Sequence, residues 1–127
     1  MEAAFETAVS KIDVSWDPIF RKHRKLLDDC LNEVIKITKY EVLSPPMELI
    51  FSAFTLPVNK VKVVIIGQDP YPTKGDAHGL SFSSLGKKTP ESLKNIFKCL
   101  NKNNFVTETN NLQQWTLQGV LLLLSCY

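Results

Sequence analysis

The most constraining stretch of this 127-residue chain is VKVVIIGQDPYPTKGDAHGLSFS, residues 61–83. Apart from Lys62, Val61 to Ile66 is an unbroken and mostly β-branched apolar run, the pattern of a strand buried on both faces of a parallel sheet. The run stops at Gly67 and gives way to a polar loop carrying Gln68, Asp69, Tyr71, Lys74, Asp76 and His78. Pro70, Pro72, Gly75 and Gly79 punctuate that loop and restrict its backbone. In open α/β sheets, ligands bind outside the carboxyl ends of the strands, so a restricted polar loop there is a candidate site. The connection from Gly67 to Thr89 is also longer than structureless connections usually are, which again points to function.

The rest of the chain reads as support. Residues 1–14 are expected to be a tail. From Trp16 to about Lys39, Trp16, Ile19, Phe20, His23, Leu27, Cys30, Leu31 and Val34 recur three or four apart, which predicts one amphipathic helix with Ser15 as N-cap and Pro18 in its first turn. Arg21, Lys22, Arg24 and Lys25 flank His23 and are expected to face outward, with a nuclear import signal or a phosphate patch as the alternative. Tyr40 to Ser44 should be extended up to Pro45-Pro46, and Met47 to Phe54 should form a short helix. The two prolines either start that helix or position a loop against DNA. Thr89 as N-cap and Pro90 at the first position predict a helix running through Leu93, Ile96, Phe97 and Leu100, with Ser92 in its first turn. Asn101 to Asn111 reads as a loop, Leu112 to Gln118 as a short helix stopped by Gly119, and Val120 to Leu124 as a second parallel strand. The expected unit is a right-handed crossover.

Composition bounds the function loosely. Fifteen Lys and Arg against 13 Asp and Glu leave a formal charge of +2, which permits nucleic acid without demanding it. Cys30, Cys99 and Cys126 are odd in number and lack any CxxC spacing, so they are read as structural thiols in a reducing compartment. The acidic start MEAAFETAVSKID is neither a secretory signal nor an Arg-rich transit peptide, and Val120 to Leu124 is too short to cross a membrane. An intracellular protein of nucleus or cytoplasm is expected.

Gly67-Gln68-Asp69-Pro70-Tyr71 followed by Ala77-His78-Gly79-Leu80-Ser81-Phe82-Ser83 resembles the water-activating motif and uracil-stacking segment of the family 1 uracil-DNA glycosylases. Pro90 to Ile96 resembles that family's Pro/Ser loop and following helix, Trp115 to Leu123 its next block, and Ser15-Trp16 an early one. The resemblance implies a three-layer α/β fold with a parallel sheet, incomplete here at about two strands, over residues 15–127. It also implies hydrolysis of the N-glycosidic bond of deoxyuridine in DNA, in base-excision repair, without metal or cofactor. Such chemistry flips the base into a snug pocket and stabilises a cationic sugar while water attacks. By the resemblance Asp69 orients the water and stabilises the sugar, Phe82 stacks on uracil, Tyr71 blocks the 5-methyl group of thymine, Gln68 lines the pocket, and Pro90 and Ser92 pinch the DNA backbone. Read from residue type alone, Asp69 is better taken as an Asx-turn acceptor, a preference that the surrounding motif reverses, and Phe82 has a core residue as its alternative. Ser81 and Ser83 are candidate phosphate donors, and His78 a brace for the loop.

Three departures from the family pattern stand out. Pro72 stands where the common family form has His, a change expected to be tolerated because some viral members resemble this sequence here. Leu124 replaces the Asn that reads the Watson–Crick edge of uracil, and a uracil amide buried against it unpaired costs about 1–3 kcal/mol. The sequence ends at Tyr127, without the family's later strands, its His-Pro-Ser segment or its inserting Leu, so a truncated form with little or no activity is expected, monomeric unless another chain completes it. Two rivals remain, a non-catalytic DNA-binding or regulatory fragment of the same fold and a metal-dependent hydrolase built on Asp69, Asp76 and His78.

Overall fold

The computed structural model describes residues 2–39, 43–107 and 109–125. Helices α1 (Glu2–Ser10), α2 (Asp17–Lys22) and α3 (Arg24–Ile37) precede strand β1 (Val63–Gly67), and α4 (Glu91–Lys102) and α5 (Gln113–Leu117) lead into β2 (Val120–Leu124). The two strands pair in parallel, from Val63 opposite Val120 to Gly67 opposite Leu124. The α/β class with about two parallel strands is therefore the observed one. Gly119, at φ +95°, turns the chain from α5 into β2, and its carbonyl accepts from the amides of Lys62 and Val63 at 2.8 and 3.2 Å, setting the register where β1 begins.

One core holds the unit together. Trp16, Leu56, Leu80, Leu93, Leu112 and Leu122 are buried in a single cluster, so the early segment, the site loop, α4 and β2 share one interior. The indole N–H of Trp16 donates to the Leu56 carbonyl at 2.7 Å, and its ring meets Phe54 edge-on at 5.0 Å between centroids. A second cluster joins Ala8 to Met47, Ile50 and Phe51.

Several local expectations are corrected. Residues 2–10 are a helix and not a tail: Ala4, Phe5, Ala8 and Ile12 share one face, which packs on the Met47 cluster. The single helix expected from Trp16 breaks at His23, whose φ of −111° and ψ of 25° separate α2 from α3 and leave its ring exposed. Asp13, not Ser15, supplies the cap, accepting from the Ser15 amide at 2.9 Å, while the Ser15 hydroxyl accepts from the Val58 amide 43 positions away. Pro18 lies in the first turn as expected. Met47 to Phe54 forms two short 3-10 turns, Met47–Leu49 and Ser52–Thr55, in place of a helix. Pro90 precedes α4 as its cap residue, because the Thr89 hydroxyl is drawn instead to the Asn110 side chain at 2.8 Å. Cys30 and Cys99 are exposed rather than buried; Tyr40 to Val42 and Cys126 lie outside the described residues.

The largest correction concerns β1, expected to be buried on both faces. Val64 is 51% exposed and Ile66 66%, while Ile65 packs toward the core. Successive side chains alternate across a strand. Of the β1 side chains only Ile65 packs on the core; Val64 and Ile66 on the opposite face are exposed, and so is Val63 at the start of the strand, at 51%.

Leu93 on α4 is fully buried, so Leu93→Ala leaves a cavity and is expected to lower stability by about 2–5 kcal/mol in urea unfolding followed by circular dichroism. Leu117→Ala, at a position 73% exposed, should change it by less than about 0.5 kcal/mol.

Candidate active site

The loop after β1 is fastened at several points. Leu80 is buried in the core, and the Ser81 amide donates to the Leu122 carbonyl of β2 at 3.3 Å. The Leu112 amide donates to the Ser83 hydroxyl at 2.8 Å, and the Ser84 amide donates to the Asn110 carbonyl at 2.9 Å. The Ser44 hydroxyl reaches across to the Tyr71 carbonyl at 2.7 Å. Gly79 has φ +99°, and a Cβ there would collide with the Leu49 carbonyl, so only glycine fits.

This fastening revises two expectations. Ser81 and Ser83 are 0% and 1% exposed, so they face the interior and not a phosphate. The Ser81 hydroxyl is buried with no partner. His78 acts as the brace expected of it, with Nε2 2.5 Å from the Ser83 hydroxyl, and burial holds its pKa below the usual 6.5.

Asp69, Tyr71, Leu80, Phe82, Ser83 and Leu124 line one narrow pocket at the carboxyl ends of both strands. The Tyr71 hydroxyl donates to the Phe82 carbonyl at 2.7 Å and lies 3.4 Å from the Ser92 hydroxyl in the first turn of α4. Burial raises the Tyr71 pKa above 10.0, which keeps the phenol a donor. Phe82 adopts φ +64°, a conformation that costs a bulky residue about 1–3 kcal/mol and is found mainly where the surroundings hold a functional group in place. Asp69 is exposed and, among the described residues, its carboxylate accepts no hydrogen bond, so its lone pairs are available to water.

The structure thus gathers Asp69, Tyr71 and Phe82, with Ser92 beside Tyr71 and Pro90 just ahead of it. Gln68 does not join them. Its side chain is exposed outside the pocket lining, and only its carbonyl is engaged, by the Ser125 hydroxyl at 2.9 Å. Asn110 was not singled out in the sequence, yet it ties Ser84, Gly86 and Thr89 together through main chain and side chain. Its setting in an Asn- and Thr-rich stretch carries no signal of that role. Asp69, Asp76 and His78 do not gather: among the described residues, no three His, Cys, Asp or Glu lie close enough to hold a metal ion. A roomier groove between α1 and α3, lined by Phe5, Leu27, Leu31 and Ile35, is mainly apolar, and two of its polar members, Arg24 and Asp28, approach one another at 3.6 Å.

No family model matches the chain. A uracil-DNA glycosylase from Pseudomonas aeruginosa strain PAO1 is 46% identical over 122 residues, covering 89% of this chain and 52% of that protein. One from Campylobacter fetus is 40% identical over 130 residues, covering 93% and 53%. This chain is a relative of the uracil-DNA glycosylases. It spans about half the length of the curated relatives it matches. Its fold agrees: the crystal structure of mimivirus uracil-DNA glycosylase aligns with a TM-score of 0.76 at 30% identity, covering 93% of this chain and 48% of the other. The incomplete glycosylase-like α/β fold expected from the sequence is the one observed.

His78 yields a pH dependence. Its folded-state pKa is depressed below 6.5 by burial, so its contribution to stability is full above the unfolded value and is lost as pH falls through the folded one. The melting temperature should therefore decline on acidification below about pH 6.5, and His78→Gln should flatten that decline.

Proposed function

We propose that this chain forms the water-orienting and base-stacking half of a uracil-DNA glycosylase, acting on uracil-containing DNA, single- or double-stranded, inside the cell. The observation that carries this reading is the placement of Asp69 and Phe82 on one pocket, with Phe82 held at a positive φ by the Tyr71 hydroxyl. Phe82 offers its face to a flipped uracil, a contact worth about 1–3 kcal/mol. Tyr71, fixed to the Phe82 carbonyl, stands where a 5-methyl group would have to pass. Asp69 orients the attacking water and places negative charge beside the sugar as the glycosidic bond lengthens. Pro90 and Ser92 position a DNA phosphate at the start of α4, a 12-residue helix whose N-terminal amides favour anions. Residues 15–127 form this unit, with α1 packed against it, and protein groups and water supply the chemistry.

A second reading, a DNA-binding fragment that releases no base, is favoured by the narrowness of the pocket. One assay separates the two. With the chain in excess over deoxyuridine-containing single-stranded DNA, the first reading expects slow release of free uracil that Asp69→Asn reduces by about 10²–10³-fold. Release that Asp69→Asn leaves unchanged would remove Asp69 from its role. Salt-sensitive DNA binding with no release from the native chain or from any folded pocket variant would decide for the second reading.

A further inference from the structure

The site loop ends in a short arch that one side chain closes. Asn110, half-buried in the segment before α5, donates from Nδ2 to the Gly86 carbonyl at 3.2 Å and accepts at Oδ1 from the Thr89 hydroxyl at 2.8 Å. A carbonyl can only accept, so a single orientation of the amide satisfies both ends. The two residues spanned by this grip are Lys87 and Lys88, both exposed. The start of the arch is anchored as well. The Leu85 amide donates to the Asp76 carbonyl at 2.9 Å, the Gly86 amide donates to the Ser84 hydroxyl at 3.0 Å, and a Cβ on Gly86 would run into the Asp76 carboxylate. Its far end is Thr89, directly before Pro90 and close in sequence to Ser92. A groove of about 480 Å³ lies beside the arch, with Lys87, Thr89, Thr109 and Asn111 on its walls.

Positive charge is concentrated in this part of the chain. Between Asp76 and Glu108 stand five lysines and a single acid, Glu91, although the whole chain carries only +2. Glu91 is engaged by Lys94 at 2.8 Å, and among the described residues neither Lys87 nor Lys88 forms an ion pair. Cations carried on a braced turn without a carboxylate partner suit a polyanion. We propose that Asn110 is a positioning residue for DNA: by closing the arch from Gly86 to Thr89 it presents Lys87 and Lys88 to backbone phosphates adjoining the one met by Ser92. This rests on the reading of the start of α4 as a DNA contact. Phosphate and not base is the chemistry that fits, because an ammonium is a point charge with no planar edge to match against a base. A turn fixed before the DNA arrives loses less freedom on binding, so the amide acts on affinity without touching DNA and without changing the charge.

The test is binding of a fluorescent, deoxyuridine-containing single strand, read by anisotropy across a salt series, to the native chain and to variants shown to be folded by their circular dichroism melts. Replacing both lysines, Lys87→Ala together with Lys88→Ala, should lower the slope of log affinity against log salt by about 1.4, two phosphates at about 0.7 each. Asn110→Ala should weaken binding about 3- to 10-fold in the native background and not at all in the chain that lacks both lysines, a coupling that a merely structural loss would not show. Thr89→Val, which removes one end of the grip, stands in if Asn110→Ala does not fold, and Thr89→Ser, which keeps the hydroxyl, should bind as the native chain does. An unchanged slope without the lysines, native-like binding by Asn110→Ala, a loss that persists without the lysines, or no binding by the native chain would overturn the proposal. Base release is scored separately. Binding that depends on the lysines and on Asn110, with no Asp69-dependent release of uracil, would remove the glycosylase reading and leave the arch standing; Asp69-dependent release from a chain indifferent to Asn110 would do the opposite.

Discussion

Five residues of β1 pair with five of β2, and the geometry of the site follows from that ladder. Parallel pairing sends both carboxyl ends to the same side, so the loop after Gly67 and the residues after Leu123 must meet there. The Gly119 carbonyl closes the ladder at one end, taking the amides of Lys62 and Val63, and the Ser125 amide closes it at the other by donating to Gly67. A shift of one residue in this register would turn every side chain to the opposite face and would carry Leu124 away from Phe82. The short strands are held to their register by what caps them as much as by their own apolar side chains.

Strain at Phe82 makes sense only with that support. A phenylalanine at φ +64° is disfavoured, and the compensating contacts lie in three separate segments: Leu80 in the core, the Leu122 carbonyl taking the Ser81 amide, and the Leu112 amide reaching Ser83. The ties from Ser81 and Ser83 join the loop to β2 and to the segment just before α5, and Leu80 anchors it in the core beside Trp16, Leu56 and Leu93. The His78 ring adds a further tie to Ser83 from a position burial keeps neutral. The loop is thus rigid where it must present an aromatic face and open where Asp69 meets water.

The parts of this architecture legible in the sequence are those that local pattern decides. The apolar runs marked both strands to within two residues, Gly119 marked the turn into β2, and the spacing of Leu93, Ile96, Phe97 and Leu100 marked α4. The parts that stayed hidden depend on distant partners. Thr89 fits an N-cap by residue type, but Asn110, 21 positions on, takes its hydroxyl, and Ser15 is likewise claimed by Val58. The exposure of Val64 and Ile66 cannot be read from a β-branched run, since the run records an apolar strand and not whether a layer covers it. Helix α1 was legible in principle. Ala4, Ala8 and Ile12 recur at i, i+4 spacing, but two alanines bury too little area to stand out. Among the site residues, Asp69, Tyr71 and Phe82 line one pocket, whereas Gln68, in the bend just after β1, is exposed and absent from that lining.

The residues gathered at the pocket are divided between the two strands. Asp69 and Phe82 depend on β1 and its loop, while the wall facing Phe82 belongs to β2 at Leu124. Gly67 sits where the two meet, and it must stay small: a Cβ there would come within 2.8 Å of Ser81 Cβ, which is fixed in the core. The pocket is lined from both strands' carboxyl ends, by Asp69, Tyr71, Leu80, Phe82 and Ser83 after β1 and by Leu124 at the end of β2. In a close-packed interior a change of even a methylene is felt, so a side chain at Gly67 would have to displace Ser81, and with it the fastening of the loop that carries Phe82.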